Sequence, residues 1–483
     1  MSPGQYRLAL AALATALVGA AGPLASASQA AAPASPPPKG EVRTAPVTAP
    51  VMDGPAPPSS PDSNAPASEA PTALVGPLVV DTVLPCGVRV IIAQDVTLPV
   101  AAVVLAIETG TEDDPTEAPG LVHALAYHLL QGNREYAPSG IARAVHSTGG
   151  TTGLAIGPAQ IRFESLVPAS MLEELVAAEA TRLRAPSVSE ALWKDTLRWA
   201  RRSRARMWSV PAPLRASAHQ TDGLAHDGNG VSAAVAGLSE RAVASQLAER
   251  FGYDRASLII VGPEASDLVL NTVMTAFADL PATPRRARDR TTTPHTGLAP
   301  RATAFKGAPG AFVWPIPGNA RAQAWAEVVC GTLNSLRRAA DEPSRVRLRC
   351  AIDDDPRRGV MLLKASGTDD PQALVRERLQ RVGDDEAGHL TKQRTAVADR
   401  LRYAVRLPLA LARHLARAEQ PGPEPGQAPM RAAADLLGAA AVLEHTAVPA
   451  SYAHLLDIGA ATVARDPTKP APVSAPGGDE PAP

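Results

Sequence analysis

Aromatic side chains make up only 3% of this 483-residue chain, and it carries just three cysteines, Cys86, Cys330 and Cys350. Three are too few for a disulfide framework and their spacing gives no zinc signature, although Cys330 and Cys350 could pair in an oxidising compartment. Neither sign of charge is in excess, with 47 Lys and Arg against 48 Asp and Glu. Without a basic field, nucleic acid and an anionic membrane surface drop out as partners. The apolar run Leu8–Ala21 falls short of the ~20 residues a spanning helix needs and is broken by Gly22-Pro23, so no stable membrane span is expected. No phosphate-binding loop, dinucleotide-binding glycine pattern or G-x-S-x-G elbow is present.

What the chain does have is apolar content, 45%, enough to bury sizeable cores, and proline, 48 residues, about twice the usual ~5% share. The prolines cluster, and they divide the chain. Residues 1–27 combine Arg7, the run Leu8–Ala21 and the small-residue site Ala25-Ser26-Ala27, the pattern of a secretory signal peptide, so an exported protein, periplasmic or secreted, is expected. Residues 28–78 and 466–483 are rich in Pro, Ala and Ser without apolar periodicity and are read as a disordered linker and tail. The Pro/Thr/Arg stretch 284–300 reads as a second linker, between domains at 79–283 and 301–465.

Within the first domain, Val88–Ala93 and Val100–Glu108 are β-branched strands, and helices are expected at Gly120–Gln131 and Ser139–Thr148, the latter stopped by Gly149-Gly150. A strand at Ile161–Val167, helices at Ala169–Arg184, Ser189–Met207 and Ser239–Phe251, a strand at Ala256–Gly262 and a helix at Asp267–Phe277 follow. The second domain gives strands at Ala311–Trp314, Val346–Ile352 and Val360–Ser366. Its helices fall at Arg321–Ala340, Pro371–Val382, His389–Gln420 with a break near Pro408, and Met430–Leu443. Strand runs mixed with helix runs, without strict alternation, indicate α+β domains.

The segment "VLPCGVRVIIAQDVTLPVAAVVLAIETGTEDDPTEAPGLVHALAYHLLQGN" resembles the opening of the pitrilysin/insulinase-type metallopeptidases, including mitochondrial-processing-peptidase-like proteins, in ungapped register around Gly120, Leu121, His123, Leu125 and Gly132. Gly149-Gly150, "LVPASMLEELVAAEATRLRAP" and "LSERAVASQLAERFGYDRASLIIVG" extend the likeness over 79–285, and 301–465 resembles the family more weakly. The resemblance implies two homologous-type domains, each a mainly antiparallel sheet with helices packed on one side, a LuxS/processing-peptidase-like fold.

In that family a helix carries H-x-x-E-H, two histidines binding zinc and a glutamate activating the attacking water. Carried over by position, His123 matches the first ligand, Ala126 occupies the catalytic glutamate position and Tyr127 the second ligand position. Ala126 has nothing to accept a proton. His128 does not replace the missing ligand on a regular helix: residues i and i+4 lie ~40° apart and meet at one metal, whereas i and i+5 lie ~140° apart. The family's third ligand, a glutamate, corresponds to Arg201 or Arg202, while the nearest acid, Asp195, falls nearly two turns early. A cation there repels zinc. The family's substrate-holding Asn-Ala corresponds to Gly153 and Leu154, and Arg345 or Arg347 is the match for its substrate arginine.

The arginine run 198–206 reads as a solvated helix face, or else as a patch for acids on a partner subunit, and Asp353-Asp354-Asp355 reads as a loop, not a calcium site. No catalytic residue, metal or other cofactor is expected. The resemblance implies a catalytically inactive homologue acting on peptides as partner or substrate-retaining subunit of an active zinc-peptidase homologue. Two alternatives stay open: an active zinc endopeptidase using His123, His128 and an acid from elsewhere, and a stand-alone peptide-binding envelope protein.

Overall fold

Two sheets organise the chain. The computed structural model describes residues 79–131, 133–184, 186–203, 210–219, 231–286, 303–305, 310–316, 320–336, 343–353, 359–384, 388–417, 439–440, 443 and 462–464. The expected signal peptide, Pro-rich linker and C-terminal tail, most of the stretch 284–300, nearly all of Met430–Leu443, and Arg204, Arg206, Asp354 and Asp355 lie outside the described residues.

The first sheet contains β1 (Val79–Val83), β2 (Arg89–Gln94), β3 (Val100–Ile107), β4 (Thr151–Ile156), β5 (Ile161–Pro168) and β6 (Ala256–Gly262), in the order β1-β2-β6-β3-β5-β4. Every neighbouring pair is antiparallel except β2 with β6. The central strands β2, β3 and β6 are buried on both faces, which is why they read as unbroken apolar runs, not as alternating ones. One face is covered by α1 (Leu121–Gln131), α2 (Gly140–Ser147), α3 (Leu172–Arg184), α4 (Glu190–Arg202), α6 (Glu240–Arg250) and α7 (Ser266–Ala276).

The second sheet runs β11 (Thr462–Ala464), β7 (Thr303–Phe305), β8 (Ala311–Pro315), β10 (Val360–Ser366), β9 (Arg347–Asp353). It is antiparallel apart from β11 with β7. Helices α8 (Ala320–Ser335), α9 (Pro371–Gly383) and α10 (His389–Ala404) close its core around Trp314, Trp325, Met361 and Leu363. The fold is therefore α+β, with mainly antiparallel sheets.

Each sheet has a second face, and each is covered by a helix from the other half. Helix α5 (Ala212–His219) lays Leu214 and Ala218, with Val210 just before it, on Ala311, Val313, Val360 and Leu362 of the second sheet. Helix α11 (Pro408–Arg417) lays Leu411, Ala412, Leu415 and Ala416 on Ile91, Ala102, Val104, Ile259 and Val261 of the first. Polar contacts lock the exchange: Gln160 donates to the Ala416 carbonyl at 2.8 Å, Arg413 reaches Glu164 on β5, and the Val210 amide donates to Asp353 at 3.1 Å. All of this lies in one unit, Ala73–Pro483.

Several expectations shift on contact with the coordinates. The expected helix Ser189–Met207 forms as Glu190–Arg202 with Ser189 as its cap, whose hydroxyl accepts the Leu192 amide. The segment Ala169–Arg184 opens with a tight turn at Ala169–Met171 before α3 begins. The helix expected over His389–Gln420 with a break near Pro408 forms as α10 and α11, separated at residues 405–407. Asp353 is no loop residue: it ends β9, buried, and accepts from Val210. Strands β1, β4, β7 and β11 and helix α5 had no counterpart in the expectation from sequence.

The sheet edges at β9 and β4 differ. Cys330 on α8 and Cys350 on β9 form a disulfide with a Cα separation of 5.3 Å. One turn on, Asn334 donates to the Cys350 carbonyl at 3.0 Å and accepts its amide at 2.9 Å, so the outer edge of β9 is occupied at that residue. At the first sheet, among the described residues no strand lies beyond β4.

Candidate functional site: a histidine-bearing helix and an edge strand

Asp114 launches α1. Its carboxylate accepts the amides of Gly120 at 2.8 Å and Val122 at 2.7 Å, satisfying helix-start donors that would otherwise be orphaned. Gly120 sits at φ +85°, in the left-handed region, where a Cβ is costly. The helix is buried almost all round, so its polar residues need partners from the protein.

His123, which the resemblance sets at a first ligand position, is fully buried, and its ring meets that of Tyr127 edge-on with centroids 4.9 Å apart. Ala126 is fully buried in the core. Tyr127 reaches across to α4, where its hydroxyl shares a hydrogen bond with the hydroxyl of Ser203. One residue on, His128 is also completely buried. Its Nε2–H donates to the Ser187 carbonyl at 2.8 Å, which leaves Nδ1 to accept from the Thr196 hydroxyl at 3.1 Å. Burial lowers the His128 pKa from the ordinary histidine value, and the bond to Ser187 offsets part of that. The ring is thus held neutral, edge-on to Trp193 at 5.6 Å.

The facing side of α4 is built from Thr196, Ala200 and Ser203, spaced by four and three residues, so all three lie on one stripe. Thr196 and Ala200 are buried. Arg201 and Arg202 lie off that stripe and are exposed. Asp195 is exposed and paired with Arg198 one turn along. It is therefore Ser203, and neither arginine, that meets Tyr127. Arg345 and Arg347 are exposed at the start of the second sheet's edge strand.

These residues do not fit a zinc ion. Tyr127 and Ser203 satisfy each other, Ala126 has no donor, and both nitrogens of His128 are engaged in holding α4 and the segment before it. Among the described residues no three His, Cys, Asp or Glu side chains come together as a metal site.

Beneath the helix, α3 contributes a buried ion pair. Arg182 forks onto Glu179 at 2.7 and 3.1 Å, donates to the Leu129 carbonyl at the end of α1 at 2.7 Å, and lies over the Phe163 ring at 4.4 Å. Helix α1 is thereby fixed at both ends.

Strand β4 follows from the Gly149-Gly150 pair. Gly149, at φ +78°, donates to His146, and Gly150 donates to Val145, the two-bond pattern that terminates a helix, here α2. A Cβ on Gly150 would lie 2.7 Å from the Leu166 carbonyl oxygen, so the chain can enter the sheet there only as glycine. The bond from the Gly157 amide to the Gln160 carbonyl fixes which β4 residues bond inward to β5. By alternation, Thr151, Gly153 and Ala155 do, and the main-chain groups of Thr152, Leu154 and Ile156 point outward to the open edge. Leu154 and Ile156 turn their side chains to the α1 face. Gly153 lies on the other face, with no atom within 4 Å of where its Cβ would be. Neither the outward main chain of β4 nor the Tyr127–Ser203 bond was found from sequence; the Gly-Gly stop followed by "TTGLAI" was the available signal.

No protein-family model matches the chain, and no curated protein matches its sequence. Solved structures do. A protease from Helicobacter pylori superposes with a TM-score of 0.58 at 14% identity, covering 79% of this chain and 94% of that one. The first half of the periplasmic protease PqqL from Escherichia coli gives 0.52 at 13% identity, covering 76% and 88%. With the whole of PqqL the score is 0.52, covering 83% of this chain and 52% of PqqL. These likenesses carry the fold.

Proposed function

We propose that this chain is an exported, non-catalytic relative of the pitrilysin/insulinase-type peptidases that holds extended peptide on β4, as partner or substrate-retaining subunit of an active zinc peptidase. The observation that carries the reading is the bond between Tyr127 and Ser203. The helix of the family's metal motif is present, but the ligand positions are closed on each other by two hydroxyls, and Ala126 supplies no base.

The strand edge is what remains usable. An extended segment adds to such an edge through main-chain hydrogen bonds, and its affinity needs no metal. Inactive chains in this family commonly pair with active ones, and the periplasmic proteases that share the fold support an exported setting. The rearranged zinc enzyme is disfavoured by His128, whose ring nitrogens both serve other partners.

Two measurements test the reading. Purified from its native cells, the chain is expected to bring down a homologue with an intact H-x-x-E-H helix; isolation as a lone monomer would overturn the subunit role. Metal analysis with a peptidase assay is expected to find neither stoichiometric zinc nor hydrolysis. Zinc-dependent cleavage lost in His123→Ala would overturn the non-catalytic role.

A further inference from the structure

The β4 edge is not chemically neutral on both faces. On the face away from α1, Gly153 stands directly across from Glu164 of β5. Glu164 is buried and held by two guanidiniums: Arg162 Nε at 2.9 Å on one oxygen, and Arg413, arriving on the exchanged helix α11, at 2.7–2.8 Å on the other. Burial alone would raise the Glu164 pKa, but the two arginines outweigh it and keep the carboxylate ionised. Arg413 brings a guanidinium to this face of the sheet within reach of solvent. Arg413 is the solvent-facing member, its side chain 44% exposed against 13% for Arg162.

We infer that the β4 edge selects extended peptides with an acidic residue, glutamate best, at the position opposite Gly153. This rests on the peptide-holding reading above and names its ligand class.

Three features support it. Because Thr152 and Leu154 present the outward main chain, an antiparallel peptide residue opposite Gly153 belongs to a non-hydrogen-bonded pair, the closer type, with Cα atoms about 4.5 Å apart. Its side chain points to the same face as Glu164. Gly153 has no side chain and nothing fills the space above it, so that side chain lies across the strand toward α11. The peptide backbone is two strand spacings, about 9.5 Å, from β5, and a glutamate covers roughly half of that toward the extended guanidinium of Arg413. Aspartate stops shorter, and lysine meets the like charge of Arg413.

Short fluorescein-labelled peptides of alternating Thr and Val, with Glu, Asp, Gln or Lys at the centre, test this by fluorescence anisotropy on the full chain. Each is also made with alternate backbone amides N-methylated. The Glu peptide is expected to bind about threefold to fivefold tighter than the Gln peptide, with Lys weakest. The ratio should shrink at high salt and approach one in Arg413→Gln, or in Gly153→Val, where the added side chain fills the lane. Binding that N-methylation abolishes but that ignores the central residue in the unaltered chain would overturn this inference and leave the peptide-holding reading standing. Equal binding of methylated and unmethylated peptides, or none, would overturn both.

Discussion

Tyr127 on α1 and Ser203 at the end of α4 are joined by a hydrogen bond between their hydroxyls, across the place where the resemblance would put two ligands of one metal. A neutral pair of hydroxyls ties α1 to α4 at that place.

Removing the hydroxyl isolates that tie. Tyr127→Phe is expected to cost about 0.5–1.5 kcal/mol of unfolding free energy, read from urea denaturation, because the Ser203 hydroxyl loses its partner while the ring packing stays. A variant as stable as the parent would show that the bond contributes nothing.

Rebuilding the site tests which residue of α4 faces it. Tyr127→His with Ser203→Glu should give a chain that binds zinc through His123 and the two new side chains, measured by competition with a chromogenic chelator. Tyr127→His with Arg202→Glu should not, since Arg202 is exposed and off the facing stripe. Tighter zinc binding by the Arg202 pair would show that the helix is rotated from the arrangement described.

His128 gives the fold a pH dependence. Its pKa is lowered in the folded chain, chiefly by burial, so the unfolded state takes up the extra proton. The stability contributed by the neutral ring is complete above the ordinary histidine pKa, about 6.5. It declines as pH falls below that value toward the lowered one. His128→Gln, which can still reach the Ser187 carbonyl, should flatten that part of the stability profile between pH 7.5 and 5.5 relative to the parent. Parallel profiles would contradict the neutral, doubly bonded ring.

The Glu179–Arg182 pair is nearly solvent-free, with side chains 3% and 2% exposed. Arg182→Ala strands a buried carboxylate and the Leu129 carbonyl, and is expected to cost about 3–5 kcal/mol. Replacing both members by apolar residues of similar size should recover much of that. Thermal melts of the single and double variants decide it.

The Cys330–Cys350 disulfide closes a loop of sequence separation 20, worth about 3 kcal/mol on chain-entropy grounds. Alkylation under denaturing, non-reducing conditions should therefore label Cys86 alone. Label on Cys330 or Cys350 would mean that the bridge is not formed.

The parts of this molecule that could be read from sequence are those whose cause is local. Strand β3 and strand β6 announce themselves as β-branched runs, α1 by the motif register around Gly120 and His123, and the end of α2 by Gly149-Gly150. Strand β4 did not, because a glycine interrupts six residues that show only weak alternation of exposure. Helix α5 is eight residues with little contrast between its faces, and nothing in "APLRASAH" says that its apolar side covers a sheet built a hundred residues later. Periodicity reports that a face is apolar, never what it meets. The site followed the same rule: the alanine at 126, where the resemblance sets a glutamate, was visible in one dimension, whereas the meeting of Tyr127 with Ser203, and not with Arg201 or Arg202, depended on where α4 turns, which is a matter of packing.

The reciprocal placement of α5 and α11 also bears on how the molecule is assembled. Each half hands over the piece that the other needs to shield a sheet from water, so neither half carries a complete interior of its own. Expressed separately, the two would each expose a greasy plane and clump. Mixed as fragments, each would offer the helix that covers the other's bare sheet face.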